Sequence, residues 1–262
     1  DGYGFYMRYL LGLKEEDELE TTFSYKTYGT IIHNCLEELY GAYLGKQLTP
    51  ANCNQMIAVV DDVVESQVRA IYAQKISGKN VLALAAIKRT IQNSILTEKE
   101  QLEKGNTIEL LALEKALTMT RSIPSLEIPI GIRGTIDRVD RYNGAIRVLD
   151  YKTGKVDKGK LGIYDWSELV INPDYGQARQ VLIYALLWND AHPDLKATQA
   201  GIISLKAHKE GALYVGEKAS ENARKKETEL TTVQLEKAEM VLTQLLTNLF
   251  DARQPFCNNP DN

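Results

Sequence analysis

Residues Ile128 to Gly154 read IPIGIRGTIDRVDRYNGAIRVLDYKTG, and this stretch decides the fold. Asn143-Gly144 lies between two runs of alternating apolar residues, the strongest short-range mark of a two-residue hairpin, because both central residues of its turn need φ > 0. The spacing predicts antiparallel strands, with Asp137 on one and Asp150 on its neighbour. Side chains alternate across a strand, so Asp150 and Lys152 share one face. An acid and a base at a strand end, just ahead of Gly154, allow two readings. One is an exposed ion pair of little energetic worth. The other is a metal ligand beside a functional ammonium.

Outward from the hairpin the periodicity changes. Tyr28 to Tyr43 carries Ile31, Ile32, Cys35, Leu36 and Leu39 at helical spacing, and two more helices are expected over roughly Gln55 to Gln74 and Val81 to Lys104. Thr107 to Arg121 is apolar and Thr-rich, as a strand would be. Val156 to Asn172, mixed in charge and carrying Gly, reads as a loop. Tyr175 to Ala191 is a strong helix, Thr198 to Ala207 a strand, and Thr231 to Ala252 a closing amphipathic helix. The order predicts an α/β fold with a mixed central sheet flanked by helices. A helical subdomain at about 50–105 is expected as an insertion after the first helix of a single domain spanning 1–262.

Composition narrows the class. The 262 residues are 44% apolar and 25% charged, as in ordinary globular chains. No run of about 18 apolar residues is present, so no membrane span is expected, and no signal peptide is visible. The chain opens on Asp1 rather than Met, which reads as an excised domain. Cys35, Cys53 and Cys257 are odd in number and far apart, forming neither a disulfide framework nor a CxxC pair. A reducing, cytoplasmic setting is expected. A net charge of −4 argues against indiscriminate coating of nucleic acid. From Arg133 to Lys160, however, eight Lys/Arg face four Asp, a local net of +4 around the hairpin.

Four features bear chemistry together: His33 in the first helix, Asp137, the Asp150/Lys152 pair, and Gln180 with Tyr184 one helical turn apart. Each alone has an ordinary explanation as a packed histidine, a solvated charge pattern, an ion pair or a core cap. Together they suit a hard divalent cation. Two carboxylates on neighbouring strands can converge on one such ion, which prefers oxygen ligands and keeps several waters, with the Tyr151 carbonyl as a further ligand and His33 completing the shell. Lys152, a compact charge with three donors, can hold an attacking water or neutralise charge on a phosphate. Gln180 and Tyr184 are poor metal ligands and would contact the nucleic-acid backbone or order the site.

This ordered set resembles the PD-(D/E)XK nuclease superfamily, and within it the RecB/AddB-like branch that includes CRISPR-associated RecB-like exonucleases. The matching residues are His33, Gly134 to Asp140, Asp150 to Gly154, and Gln180 to Tyr184. The segment FYMRYLLGLKEED (Phe5 to Asp17) is similar to the one preceding the histidine helix, and the likeness runs from about Phe5 to Ala207. The resemblance implies a restriction-endonuclease-like core and Mg²⁺ or Mn²⁺ held by His33, Asp137, Asp150 and the Tyr151 carbonyl. It implies catalysis by Asp137, Asp150 and Lys152, and DNA positioning by Gln180, Tyr184 and Arg138. Glu114 sits where relatives often carry an acid and is a minor candidate, balanced by a plain surface glutamate. The activity implied is metal-dependent hydrolysis of DNA, as an exonuclease, in recombination and double-strand break repair. The partners implied are DNA and a helicase subunit or a helicase region of the same protein. A non-catalytic or partner-dependent nucleic-acid-binding module is the alternative. Many relatives hold an iron–sulfur cluster on four cysteines. Here only Cys257 lies near the end, so a cluster is not supported within this chain, and the lineage lacks it or its cysteines lie beyond these ends.

Overall fold

The computed structural model describes residues 6–7, 11–12, 23–72, 76–123, 129–251 and 253. The segment from Phe5 to Asp17 lies mostly, and Cys257 entirely, outside them.

The first helix, α1 (Tyr25–Gly41), starts at Ser24, whose side chain accepts from the Thr27 amide, and it buries Ile31, Ile32, Cys35, Leu36, Leu39 and Tyr40. A capping box between Thr49 and Asn52, with Pro50 in the first turn, opens α2 (Pro50–Ile71). Cys53, Met56, Val60, Val64 and Val68 then recur every three or four residues as its buried stripe. The third helix, α3 (Lys79–Glu103), turns Ile87, Ile91, Ile95 and Leu102 inward. These three helices share one apolar cluster with Ile108, Leu110 and Tyr151 of the sheet.

The sheet comprises β1 (Ile108–Arg121), β2 (Ile130–Tyr142), β3 (Ala145–Lys152), β5 (Gln199–Ser204) and β6 (Ala212–Tyr214), in the order β1-β2-β3-β5-β6. β3 and β5 are parallel and the other neighbours antiparallel, so the sheet is mixed as expected. Its second face is covered by α5 (Gly176–Ala191), packed on Val139, Val148, Ala200 and Ile202, with α6 (Thr232–Leu249) lying against α5 in the same apolar cluster. The segment read as a loop is more ordered than its composition suggests. It contains a 3-10 turn at Lys158–Leu161, the short strand β4 (Gly162–Ile163) paired with β7 (Gly216–Glu217), and α4 (Glu168–Ile171). Leu161, Ile163 and Leu169 are buried there, too sparsely spaced for a periodic pattern to betray them. No helix among the described residues is long and apolar enough to cross a membrane.

The hairpin forms where expected. Tyr142 pairs with Ala145 across Asn143 and Gly144, at φ 49° and 89°. A Cβ on Gly144 would meet nothing within 4 Å, so the cost of Gly144→Ala is that of the left-handed backbone alone, about 1 kcal/mol. Urea unfolding should show that loss with an unchanged m-value.

Candidate active site

Two strand registers build the site. Arg138 pairs with Leu149, and continuing that antiparallel register by one residue sets Asp137 opposite Asp150. The Tyr151 amide donates to Asp137 Oδ2 at 2.6 Å, locking the two strands together at the carboxylate. On β3, alternation sends Val148 and Asp150 to the α5 side and Arg147 and Tyr151 to the side of the first three helices.

From α5, Gln180 Nε2 donates to Asp150 Oδ1 and to the Tyr184 hydroxyl, each at 2.9 Å. Lys152 Nζ donates to Gln180 Oε1 at 2.9 Å and lies 2.9 Å from Asp150 Oδ2. That contact ties the Lys152 ammonium to the buried Asp150 carboxylate. Gln180 therefore orders the acid and the lysine with one amide group. Gly134 makes room for this helix, since a Cβ there would stand 3.0 Å from Tyr184 and Leu187.

From α1, His33 Nε2 lies 3.2 Å from the Tyr151 carbonyl, with Nδ1 3.4 Å from Glu114 Oε1 and 3.6 Å from Asp137 Oδ2. His33, Glu114 and Asp137 each offer a ligand atom within 4.8 Å of the others. Glu114 reaches this point at φ 40°, a conformation that is costly for a residue with a Cβ and that concentrates at functional sites.

Crowding five acidic and basic groups shapes their proton affinities. Burial, then the charge of Asp150, pushes the Asp137 carboxyl up to about 7. Burial also raises Asp150, against the opposing pull of Lys152. For His33 burial is the largest influence and lowers the pKa, but the Glu114 hydrogen bond and the surrounding carboxylates outweigh it and the net direction is upward. The cluster thus holds protons where a cation would otherwise neutralise it. The donor set fits a divalent ion: the Glu114 and Asp137 carboxylates and the His33 imidazole converge, with the Tyr151 carbonyl 3.2 Å from His33.

Arg138 does not sit with these groups, and its expected part in DNA positioning is corrected. It is 0% exposed, because it alternates with Asp137 and points into the helical layer. There Nε donates to Asp140 Oδ2 at 2.8 Å and Nη1 to Glu98 Oε1 at 2.6 Å and the Tyr151 hydroxyl at 3.3 Å. Arg147 is likewise buried against Asp140, so two of the eight basic residues around the hairpin serve the interior. Glu98, invisible to motif reading because it lies within α3, far from the motifs, is the partner that makes burial of Arg138 tolerable.

The core and site define a class of protein. The family model of the PD-(D/E)XK nuclease superfamily matches residues 2–261, and the chain belongs to that superfamily. It is similar to one subunit of the ATP-dependent helicase/deoxyribonuclease of Clostridioides difficile (strain 630), 23% identical over 218 residues. The match takes in 77% of this chain but spans only 18% of that protein's length.

Proposed function

We propose that the chain is a metal-dependent deoxyribonuclease domain that hydrolyses phosphodiester bonds from DNA ends, working with a helicase in recombination and double-strand break repair. The observation carrying this reading is the convergence of Asp137, Asp150, Lys152 and His33 from two strands and a helix. His33, Asp137, Asp150 and the Tyr151 carbonyl would hold Mg²⁺ or Mn²⁺, with Glu114 as an additional carboxylate. Such an ion supplies Lewis-acid stabilisation of phosphate oxygens and lowers the pKa of water. Lys152, aimed by Gln180, neutralises charge developing on the phosphate, while Tyr184 fixes Gln180 from behind. The 50–105 helices form a subdomain of the same unit, buttressing α1, and the setting is cytoplasmic.

Incubation with linear single- and double-stranded DNA tests this reading. Cleavage is expected with Mg²⁺ or Mn²⁺ and none with EDTA. No cleavage of either substrate with either metal defeats it, and Asp137→Asn then serves in calorimetry to ask whether metal still binds.

Asp137 also sets a pH dependence. Its carboxyl must lose a proton to ligate, and its pKa stands near 7. Mg²⁺ affinity should therefore weaken by about tenfold or more per pH unit below 7, because His33, raised above its ordinary value, must also give up its proton to ligate. Calorimetric titrations at pH 6, 7 and 8 read this directly, and Asp137→Asn should make the dependence shallower, leaving the part due to His33.

A further inference from the structure

A second site lies on the opposite face of the sheet from Asp150. Between α3 and the β3-β5-β6 edge is a cavity of about 280 Å³, floored by Ile108 and Ile203, close to the lower end of the ~300–1,000 Å³ typical of small-molecule sites. Its polar wall includes Ser94, Gln101, Arg147 and Tyr214 together with the carboxylates of Glu98 and Glu210, and Ser94 and Arg147 are each 6% exposed.

The hydrogen-bond inventory of that wall is lopsided. Most of its side-chain acceptors are engaged: Glu98 accepts from Arg138 and Tyr40, Gln101 Oε1 from Tyr142 and Asn106, and Glu210 Oε1 from Lys158. The Tyr214 oxygen accepts from Arg147 Nη1 at 2.8 Å, which turns its own hydrogen elsewhere. What remains to meet a ligand is mainly donors: the Gln101 amide, the Ser94 and Tyr214 hydroxyls, and the Lys209 ammonium at the rim, against the second oxygen of Glu210. Charge points the same way. Arg138 and Arg147 balance Glu98 and Asp140, while Lys158 balances Glu210 at 2.5 Å, leaving Lys209 in excess. Tyr142, with the Arg147 guanidinium 4.1 Å over its ring, adds a flat aromatic wall.

We propose that this cavity binds an acceptor-rich organic anion with a flat ring, of the size and chemistry of a mononucleotide. The choice of nucleotide among such anions rests on the nuclease reading, whose product class it is. The cavity's rim is tied to the active-site side of the fold, because Lys158, whose salt bridge holds Glu210, lies in the turn that follows Asp150-Tyr151-Lys152 and the Thr-Gly bend. An occupied cavity would thereby fix the segment leading away from Lys152.

The test is calorimetry with 2′-deoxythymidine 5′-monophosphate, thymidine and inorganic phosphate on the whole chain in EDTA, which removes any metal-borne contact with the active site. Nucleotide binding is expected, undiminished in Asp150→Asn and weakened about tenfold or more in Gln101→Leu and in Tyr214→Phe, both checked for unchanged melting. No binding at millimolar nucleotide overturns the proposal. So does binding abolished by Asp150→Asn but indifferent to Tyr214→Phe, or phosphate alone binding as tightly as the nucleotide. Because the titration involves no cleavage, its failure leaves the nuclease reading standing, and inactivity on DNA leaves the cavity's anion binding standing.

Discussion

Asp150→Asn is expected to lower metal-dependent DNA cleavage by at least ~10³-fold, equivalent to about 4 kcal/mol of transition-state stabilisation, with no loss of folding stability. The two halves of that result arise from one cause. Asp150 is 2% exposed, and its charge sits beside Asp137 in a site that burial already makes hostile to charge. Asparagine keeps the shape and an oxygen for Gln180 to bond, so the metal-free protein at pH 7 loses a repulsion and no essential contact. A residue kept for function at the expense of stability behaves this way. Lys152→Ala should follow with ~10²–10³-fold lower cleavage. Initial rates on linear DNA, paired with urea unfolding of the same preparations, separate this outcome from that of a structural ion pair, which would cost stability and leave cleavage near normal.

Asp140→Leu should do the reverse. Asp140 is 0% exposed and pairs with both Arg138 and Arg147, so its loss strands the Arg147 guanidinium and leaves Arg138 with Glu98 alone. Removal of one member of such a network costs ~3–5 kcal/mol, or on the order of 10 °C in melting temperature for a chain of this size. Burial alone would raise the Asp140 pKa, but the two arginines outweigh it and hold the carboxyl below its ordinary value. A depressed carboxyl contributes stability above its unfolded pKa and loses it as pH falls through the folded one. The gap between wild type and variant should accordingly be full at pH 7 and close in strong acid.

Much of the site is legible in the sequence because strand chemistry is local. Asn143-Gly144 specifies the hairpin, the hairpin specifies the register, and the register brings Asp137 opposite Asp150. The period of two that puts Lys152 beside Asp150 also removes Arg138 from the site. Its motif suggests a DNA contact because the neighbouring acid is a proposed metal ligand, whereas alternation sends it to Glu98, a partner 40 residues away in sequence. Glu114 is only half legible. Its position on a strand is visible, but its reach to His33 depends on a backbone angle of φ 40° that no glycine or asparagine announces. The β4–β7 pair is hidden for another reason, since strands of two residues are too short to show a period.

Anomalous diffraction from crystals soaked in Mn²⁺ tests the metal site most directly. The expected result is a peak within coordination distance of Asp137, Asp150 and the Tyr151 carbonyl, with the His33 imidazole turned onto it, and absent from Asp150→Asn crystals. A fully soaked crystal with no peak there, or with manganese bound only elsewhere, would contradict a metal-dependent nuclease built on these residues.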